Sequence, residues 1–219
     1  MGRKALAVAT LSLGLAACAA VAQEEVEVLA LGDSLTAGYG LRQDDGFVPA
    51  LNRWLADNGV EATVVNAGVS GDTTAGGRAR LEWSLSEGID AAVVALGGND
   101  LLRGIDPRTS RENLAAIMDA LEARGIPALL VGIEAPGNYG PAYKAAFDGM
   151  YVDLAAEHGA LLEPHFLGPL VVAGGDVATA RARYLQADGI HPNAAGVEVI
   201  VEALGPRVAE LVARARTGS

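Results

Sequence analysis

The chain has 219 residues, 51% hydrophobic and 20% charged, with 27 acidic side chains against 16 basic ones and a formal charge of −11. That length holds one compact domain with a substantial core and is short for two. So acidic a surface repels phosphate backbones and anionic lipid, which excludes nucleic-acid binding as a function class.

Arg3 and Lys4 precede an apolar, uncharged run from Ala5 to Ala22, with Glu24 and Glu25 close behind. A basic start, an apolar stretch and small residues at its end predict a secretory signal over residues 1–22. A membrane-spanning anchor is the competing reading. Spanning helices need about 20 strongly apolar residues, whereas this run is rich in alanine. Ala20-Val21-Ala22 before Gln23 fits ordinary cleavage to a soluble periplasmic or secreted product, the favoured outcome. Leu15-Ala16-Ala17-Cys18 also resembles a bacterial lipobox, which would anchor the protein by lipid on Cys18. Cys18 is the sole cysteine, so no intramolecular disulfide forms despite export. Without Arg3 and Lys4 the balance is 14 basic against 27 acidic residues, about −13.

Residues 26–216 read as one domain, uninterrupted by repeats, low-complexity tracts or linkers. Short β-branched or apolar runs predict strands over Val26–Gly32, Ala62–Asn66, Ala91–Gly97, Pro127–Ile133 and Ala160–Glu163. Amphipathic stretches between and after them predict helices over Gly46–Asn58, Thr74–Glu87, Ser110–Arg124, Pro141–His158 and Asn193–Arg216. Strands that are apolar throughout are buried on both faces, as in a parallel sheet covered by helices. Strict β–α alternation therefore predicts an α/β fold, a doubly wound three-layer α/β/α sandwich. In such sheets the ligand crevice lies beyond the carboxyl ends of the strands.

The motifs fall at those ends. The first strand runs into Gly32-Asp33-Ser34, the second into Asn66-Ala67-Gly68-Val69-Ser70-Gly71-Asp72-Thr73, the third into Gly97-Gly98-Asn99-Asp100. Asp188-Gly189-Ile190-His191-Pro192 precedes the last helix and can reach the same rim. Together these residues can perform acyl transfer. A serine hydroxyl needs an adjacent base, and His191 supplies one, with Asp188 three residues earlier to orient its other ring nitrogen. The Ser34 and Gly71 N–H groups and the Asn99 amide are candidate oxyanion donors. Glycine at 71 leaves its N–H open to substrate.

Gly32-Asp33-Ser34-Leu35, Gly71 in Ser-Gly-Asp-Thr, Gly97-Gly98-Asn99-Asp100 and Asp188-x-x-His191-Pro192 resemble the four sequence blocks of the GDSL/SGNH hydrolases. Leu29–Tyr39, Val65–Thr73 and Asp188–Asn193 are similar to the bacterial periplasmic group with thioesterase I, lysophospholipase and arylesterase activities. Pro136-Gly137-Asn138-Tyr139-Gly140 resembles that group's substrate-side loop after the fourth strand. The resemblance implies a flavodoxin-like sheet of five parallel strands, with neither metal nor organic cofactor. It implies Ser34 as nucleophile, Asp188 and His191 as orienter and base, and Ser34, Gly71 and Asn99 as the oxyanion hole. Asp33, Leu101, Pro136, Asn138, Tyr139 and Ile190 are the residues expected beside substrate. One departure stands before the loop. Glu134-Ala135 replaces a basic and an apolar residue, which bears on how an anionic or coenzyme A-linked substrate is held.

Taken singly, each motif has a plainer reading. Gly32-Asp33-Ser34 could be only a helix entry, Asp72 reads as a cap, Asn99 as a turn residue, and Asp100 as a cap for the segment after it. His158, at Glu157-His158-Gly159, reads as a cation at a helix end. His165 follows Pro164 with no carboxylate at a suitable spacing. Ser70, the rival nucleophile, lacks a G-x-S-x-G elbow and a base of its own. Trp54 and Trp83 read as packing residues, and Leu101-Leu102 as either core or acyl-pocket lining. The expected activity is hydrolysis of carboxylic esters and thioesters, including aryl esters, acyl-CoA and lysophospholipids, by a monomer acting on small molecules. The alternatives are an O-deacetylase of carbohydrate or cell wall, and a non-catalytic binding lipoprotein.

Overall fold

A computed structural model describes residues 25–85 and 88–218. The predicted leader, with Cys18, lies outside them. Five parallel strands form one sheet: β1 (Val26–Gly32), β2 (Ala62–Gly68), β3 (Ile89–Ala95), β4 (Ala128–Val131) and β5 (Leu161–Glu163), in the order β2-β1-β3-β4-β5. Nine helices among the described residues cover it: α1 (Ser34–Ala37), α2 (Phe47–Asp57), α3 (Thr74–Ser84), α4 (Gly98–Leu102), α5 (Pro107–Glu122), α6 (Pro141–Glu157), α7 (Gly168–Gly174), α8 (Val177–Tyr184) and α9 (Ala194–Gly218).

The side-chain period of two along each strand divides the core into two layers. Val26, Val28 and Ala30 of β1 join Val93 and Leu129 on one face, packed under Leu51 and Leu55 of α2 and Val201, Leu204 and Val208 of α9. Leu29 and Leu31 join Val94 and Leu130 on the other, under Leu114, Ile117 and Met118 of α5 and Phe147 and Tyr151 of α6. Each fully buried leucine or valine contributes about 1.5–3 kcal/mol of burial free energy. Burial on both faces leaves these strands no polar side, which is why they read as continuous apolar runs. This is the predicted three-layer α/β/α sandwich.

Boundaries differ where side-chain patterns stop deciding. β2 runs two residues past its predicted end and pairs Gly68 with Gly32. β4 is shorter than Pro127–Ile133, because the chain leaves the sheet at Gly132, whose N–H donates to Glu163 and whose C=O accepts from Phe166. α1, α4, α7 and α8 are not among the predicted helices. The one buried side chain of α7 is Leu170, and α8 buries only Ala180 and Tyr184, too few to print a helical period. Trp54 packs on Gly205 of α9 and donates from Nε1 to Glu202 at 3.0 Å, while Trp83 stands in solvent.

The chain order around β1 positions the site. β1 pairs with β2 on one side and β3 on the other, so the connections after β1 and β3 leave in opposite directions. A crevice opens where they diverge, beyond the carboxyl ends of those strands. Asp33-Ser34 follows β1 and Gly97–Asn99 follows β3, at its edge.

Candidate active site

Ser34 opens α1 directly after β1. Asp33 is the N-cap, its Oδ1 accepting the Leu35 N–H at 3.0 Å. The turn is tight because Gly32 has no side chain: a Cβ there would lie 2.0 Å from Thr36 Oγ1. Ser34 Oγ sits 2.9 Å from His191 Nε2, and His191 Nδ1 sits 2.7 Å from Asp188 Oδ2. Ser34 and His191 are 157 residues apart in sequence. Asp188 Oδ1 accepts the backbone N–H of Ile190 at 2.9 Å and of His191 at 3.1 Å. The Ile190 N–H first, then the His191 ring and the His191 N–H, hold the Asp188 carboxyl down at about 2. An ionised Asp188 on the Nδ1 side selects the tautomer with its proton there, which leaves Nε2 as the acceptor facing the serine hydroxyl.

The expected oxyanion donors gather beside Ser34. Gly71 follows β2 at φ +87°, a left-handed conformation that glycine adopts without strain. Its carbonyl accepts from Arg103 Nη2 at 2.8 Å, which fixes the peptide that joins it to Asp72. Asn99, in α4, donates through Nδ2 to Asp72 O at 2.9 Å and to Asp33 Oδ2 at 3.3 Å. The second bond is the longer, hence the one an incoming oxyanion would displace.

Two polar residues near the site act differently from their sequence reading. Asp72 caps no helix. Thr73 is the N-cap of α3, and Asp72 instead pairs with Arg80 Nε at 2.6 Å, while Arg80 Nη2 holds Gly32 O at 2.9 Å. Asp100 does not cap the segment after it, a role taken by Asp106 of α5. It is buried, accepting from Thr74 N at 2.8 Å, Thr74 Oγ1 at 2.6 Å and Ser110 Oγ at 2.9 Å, and so ties α4 to α3 and α5. Both departures arise because the donors that reach these carboxylates come from α3 and α5, Arg80 for Asp72 and Thr74 and Ser110 for Asp100. Asp33 is 3% exposed, and burial raises its carboxyl to about 6 against the opposing Leu35 N–H and Asn99 bonds.

That shift carries a sign. The folded protein binds the Asp33 proton more tightly than the unfolded chain, so ionisation costs stability as pH rises from about 4 to about 6 and the loss then levels off. Asp33→Asn removes the cost. Relative to wild type, its unfolding free energy in urea is expected to gain on the order of 3 kcal/mol between pH 4 and pH 7. Parallel pH curves would refute this assignment.

A cavity of about 630 Å³ opens onto these groups. Its polar end holds Ser34, Gly71, Asn99 and His191; its walls include Leu101, Leu102, Ile133, Pro136, Leu167 and Ile190. Of the residues expected beside substrate, Asp33, Leu101, Pro136 and Ile190 line it, although the Asp33 oxygens are already spent on Leu35 and Asn99. Asn138 and Tyr139 are not on its wall. They belong to a short 3-10 turn, Gly137–Tyr139, in which the Tyr139 ring lies 4.9 Å from that of Tyr143 at a 37° tilt, and the loop reaches the cavity through Pro136. Glu134 lines the wall too and pairs with Lys144 at 2.9 Å, which offsets its charge.

The remaining candidates stay apart from this arrangement. Ser70 lines the cavity, yet no histidine bonds it among the described residues. His158 ends α6 and pairs with Glu122 at 2.9 Å through Nδ1, with Asp119 3.9 Å from Nε2. Among the described residues this trio is the one group of three or more His, Cys, Asp or Glu side chains whose ligand atoms lie within 4.8 Å of one another, and none of its members lines the cavity beside Ser34. His165 Nδ1 is buried without a partner. Two contacts at the site lack any sequence signature of a role. The Tyr39 ring lies 4.7 Å from that of His191, and Gln186 bonds the backbone around both.

The family model of the GDSL-like lipase/acylhydrolases matches residues 30–199. Esterase TesA of Pseudomonas aeruginosa is 42% identical over 186 residues, 84% of this chain and 89% of that protein. Thioesterase 1/protease 1/lysophospholipase L1 of Escherichia coli K12 is 35% identical over 84% of each chain. The crystal structure of AlinE4, an SGNH-hydrolase family esterase, superposes with a TM-score of 0.68 at 43% identity, covering 86% of this chain and 97% of that one. Fold, sequence blocks and relatives agree, and the chain belongs to the GDSL-like lipase/acylhydrolase family of serine ester hydrolases.

Proposed function

We propose that the chain hydrolyses carboxylic esters and acyl thioesters through an acyl-enzyme on Ser34. The observation that carries this reading is the unbroken relay from Asp188 through His191 to Ser34, at 2.7 and 2.9 Å. Ser34 Oγ attacks the acyl carbon while His191 Nε2 takes its proton; Asp188 steadies the imidazolium so formed. The carbonyl oxygen becomes an oxyanion that accepts from the Ser34 and Gly71 N–H groups and the Asn99 amide. As the tetrahedral adduct collapses, the carbon–oxygen or carbon–sulfur bond breaks and His191 returns its proton to the leaving atom. Water, deprotonated by the same nitrogen, then releases the acid.

The apolar walls favour an acyl chain over a bare acetyl group. That supports alkyl and aryl esters, fatty-acyl thioesters and lysophospholipids ahead of an O-deacetylase role, and apart from His191 the basic side chain on the wall is Arg181. No helix among the described residues is long and apolar enough to cross a membrane. With the leader predicted at 1–22, this supports action in the periplasm or outside the cell.

A fluorophosphonate probe is expected to add one adduct per chain, mapped by peptide mass spectrometry to the peptide containing Ser34. Labelling at Ser70 or failure to label would refute the acyl-enzyme reading.

A further inference from the structure

The relay joins two segments distant in sequence, and its own bonds do not hold them in register. Ser34 lies on α1; Asp188 and His191 lie in a loop before α9. That loop is closed on itself: Gln186 N donates to His191 O at 2.8 Å, Asn193 N to Tyr184 O at 2.8 Å, and Leu185 pairs with Pro192. Something must fix the loop against α1 within a few tenths of an ångström, because proton transfer tolerates little displacement.

Gln186 is placed to do this. Its Nε2 donates to Tyr39 O at 2.8 Å and to Pro192 O at 2.9 Å, so one amide spends both hydrogens on the two segments that carry the relay. Tyr39 is in turn tied to the nucleophile, its N–H donating to Ser34 O at 3.1 Å. Gly40 makes room, since a Cβ there would lie 2.3 Å from Gln186 Oε1. From the same turn, the Tyr39 ring packs against the His191 ring, 4.7 Å between centroids at a 40° tilt.

We infer that Gln186 and Tyr39 are positioning residues: the amide clamps the base loop to the nucleophile turn, and the ring fixes the imidazole plane. The inference rests on the acyl-enzyme reading above. The clamp acts through distance and leaves the basicity of His191 alone. Asp188 binds the ring from within the loop, Asp33 acts on it from the start of α1, and Arg181 of α8 lies against Gly189; none of the three bonds Gln186.

Gln186→Met keeps the side-chain length and deletes both N–H groups. With a short-chain p-nitrophenyl ester, kcat is expected to fall about tenfold. KM stays within about twofold, and the acid limb of kcat/KM keeps its midpoint, since uniform binding and the Asp188–His191 pair are untouched. The rate of phosphonate labelling falls in step with kcat. Should Gln186→Met fail to fold, the ring decides: Tyr39→Ala is expected to lose kcat, and Tyr39→Phe to recover most of that loss, because the clamp uses the tyrosine backbone and the ring needs no hydroxyl. An unchanged kcat in folded Gln186→Met, a loss confined to KM or a displaced acid limb overturns the inference. So does an unaffected Tyr39→Ala. If Ser34→Ala is inert while Gln186→Met behaves as wild type, the clamp alone fails; if Ser34→Ala turns over, the underlying reading fails with it.

Discussion

Ser34→Ala is expected to lower kcat for ester hydrolysis by at least about 10⁴-fold while leaving the unfolding midpoint within experimental error. The side chain contributes little to packing. Its Oγ makes one hydrogen bond, to His191 Nε2, at the wall of an open cavity, where water takes over as partner when the hydroxyl goes. For the chemistry the loss is complete, because no bond can form to the acyl carbon. The other serine on the wall, Ser70, has no histidine to take its proton. What persists is the background from binding and the oxyanion donors. Steady-state kinetics on a p-nitrophenyl ester, with urea denaturation of both proteins, checks the prediction. Wild-type turnover by the folded variant would remove Ser34 from the mechanism.

Asn99→Ala carries the next largest effect, a fall of about 10²–10³ in kcat, since deleting one oxyanion donor removes about 2.7–4 kcal/mol of transition-state stabilisation. The same amide also holds Asp72 O and Asp33 Oδ2. Loss of those bonds costs about 0.5–1.5 kcal/mol of folding stability each, with water offsetting part of it. The two roles separate by measurement. A boronate that traps a tetrahedral adduct on Ser34 binds more weakly in proportion to the fall in kcat, whereas KM changes little. Equal weakening of substrate and boronate would mean that Asn99 shapes the pocket without serving the oxyanion.

The unequal bonds of Asn99 bear on this second effect. At rest, its amide is divided between a neutral carbonyl at 2.9 Å and the buried Asp33 carboxylate at 3.3 Å. An oxyanion must compete with that carboxylate for one N–H. Burial, which raises Asp33 to about 6, makes its charge costly and lowers its hold on the amide once it is protonated.

Much of the site was legible before folding was considered, because its chemistry is local. Gly32 and Gly71 mark places where the backbone must turn tightly or expose an N–H, and Asp188 lies three residues from His191, close enough for one short loop to join them. Apolar runs with no polar face announced a sheet covered on both sides. By contrast, Asp72 and Asp100 looked like caps because both residues favour helix starts; their actual donors, Arg80 in one case and Thr74 and Ser110 in the other, come from other turns and helices. Asn138 and Tyr139 followed a loop motif, yet that loop's 3-10 turn leaves Pro136 on the wall and takes them off it. α7 and α8 went unread because their stability comes from packing on the finished domain and from few buried side chains.

By itself, then, the amino-acid sequence determined the strand–helix alternation, the layered architecture and the set of candidate reactive groups, all consequences of side-chain period and short-range spacing. Only the tertiary structure decided which of those groups touch. The Ser34–His191 contact spans 157 residues, and the Gln186 clamp beside it joins backbone carbonyls at Tyr39 and Pro192. Backbone carbonyls are alike at every position, so a bond to one leaves no mark in the pattern of side chains; it exists only once the sheet has brought its carboxyl ends together.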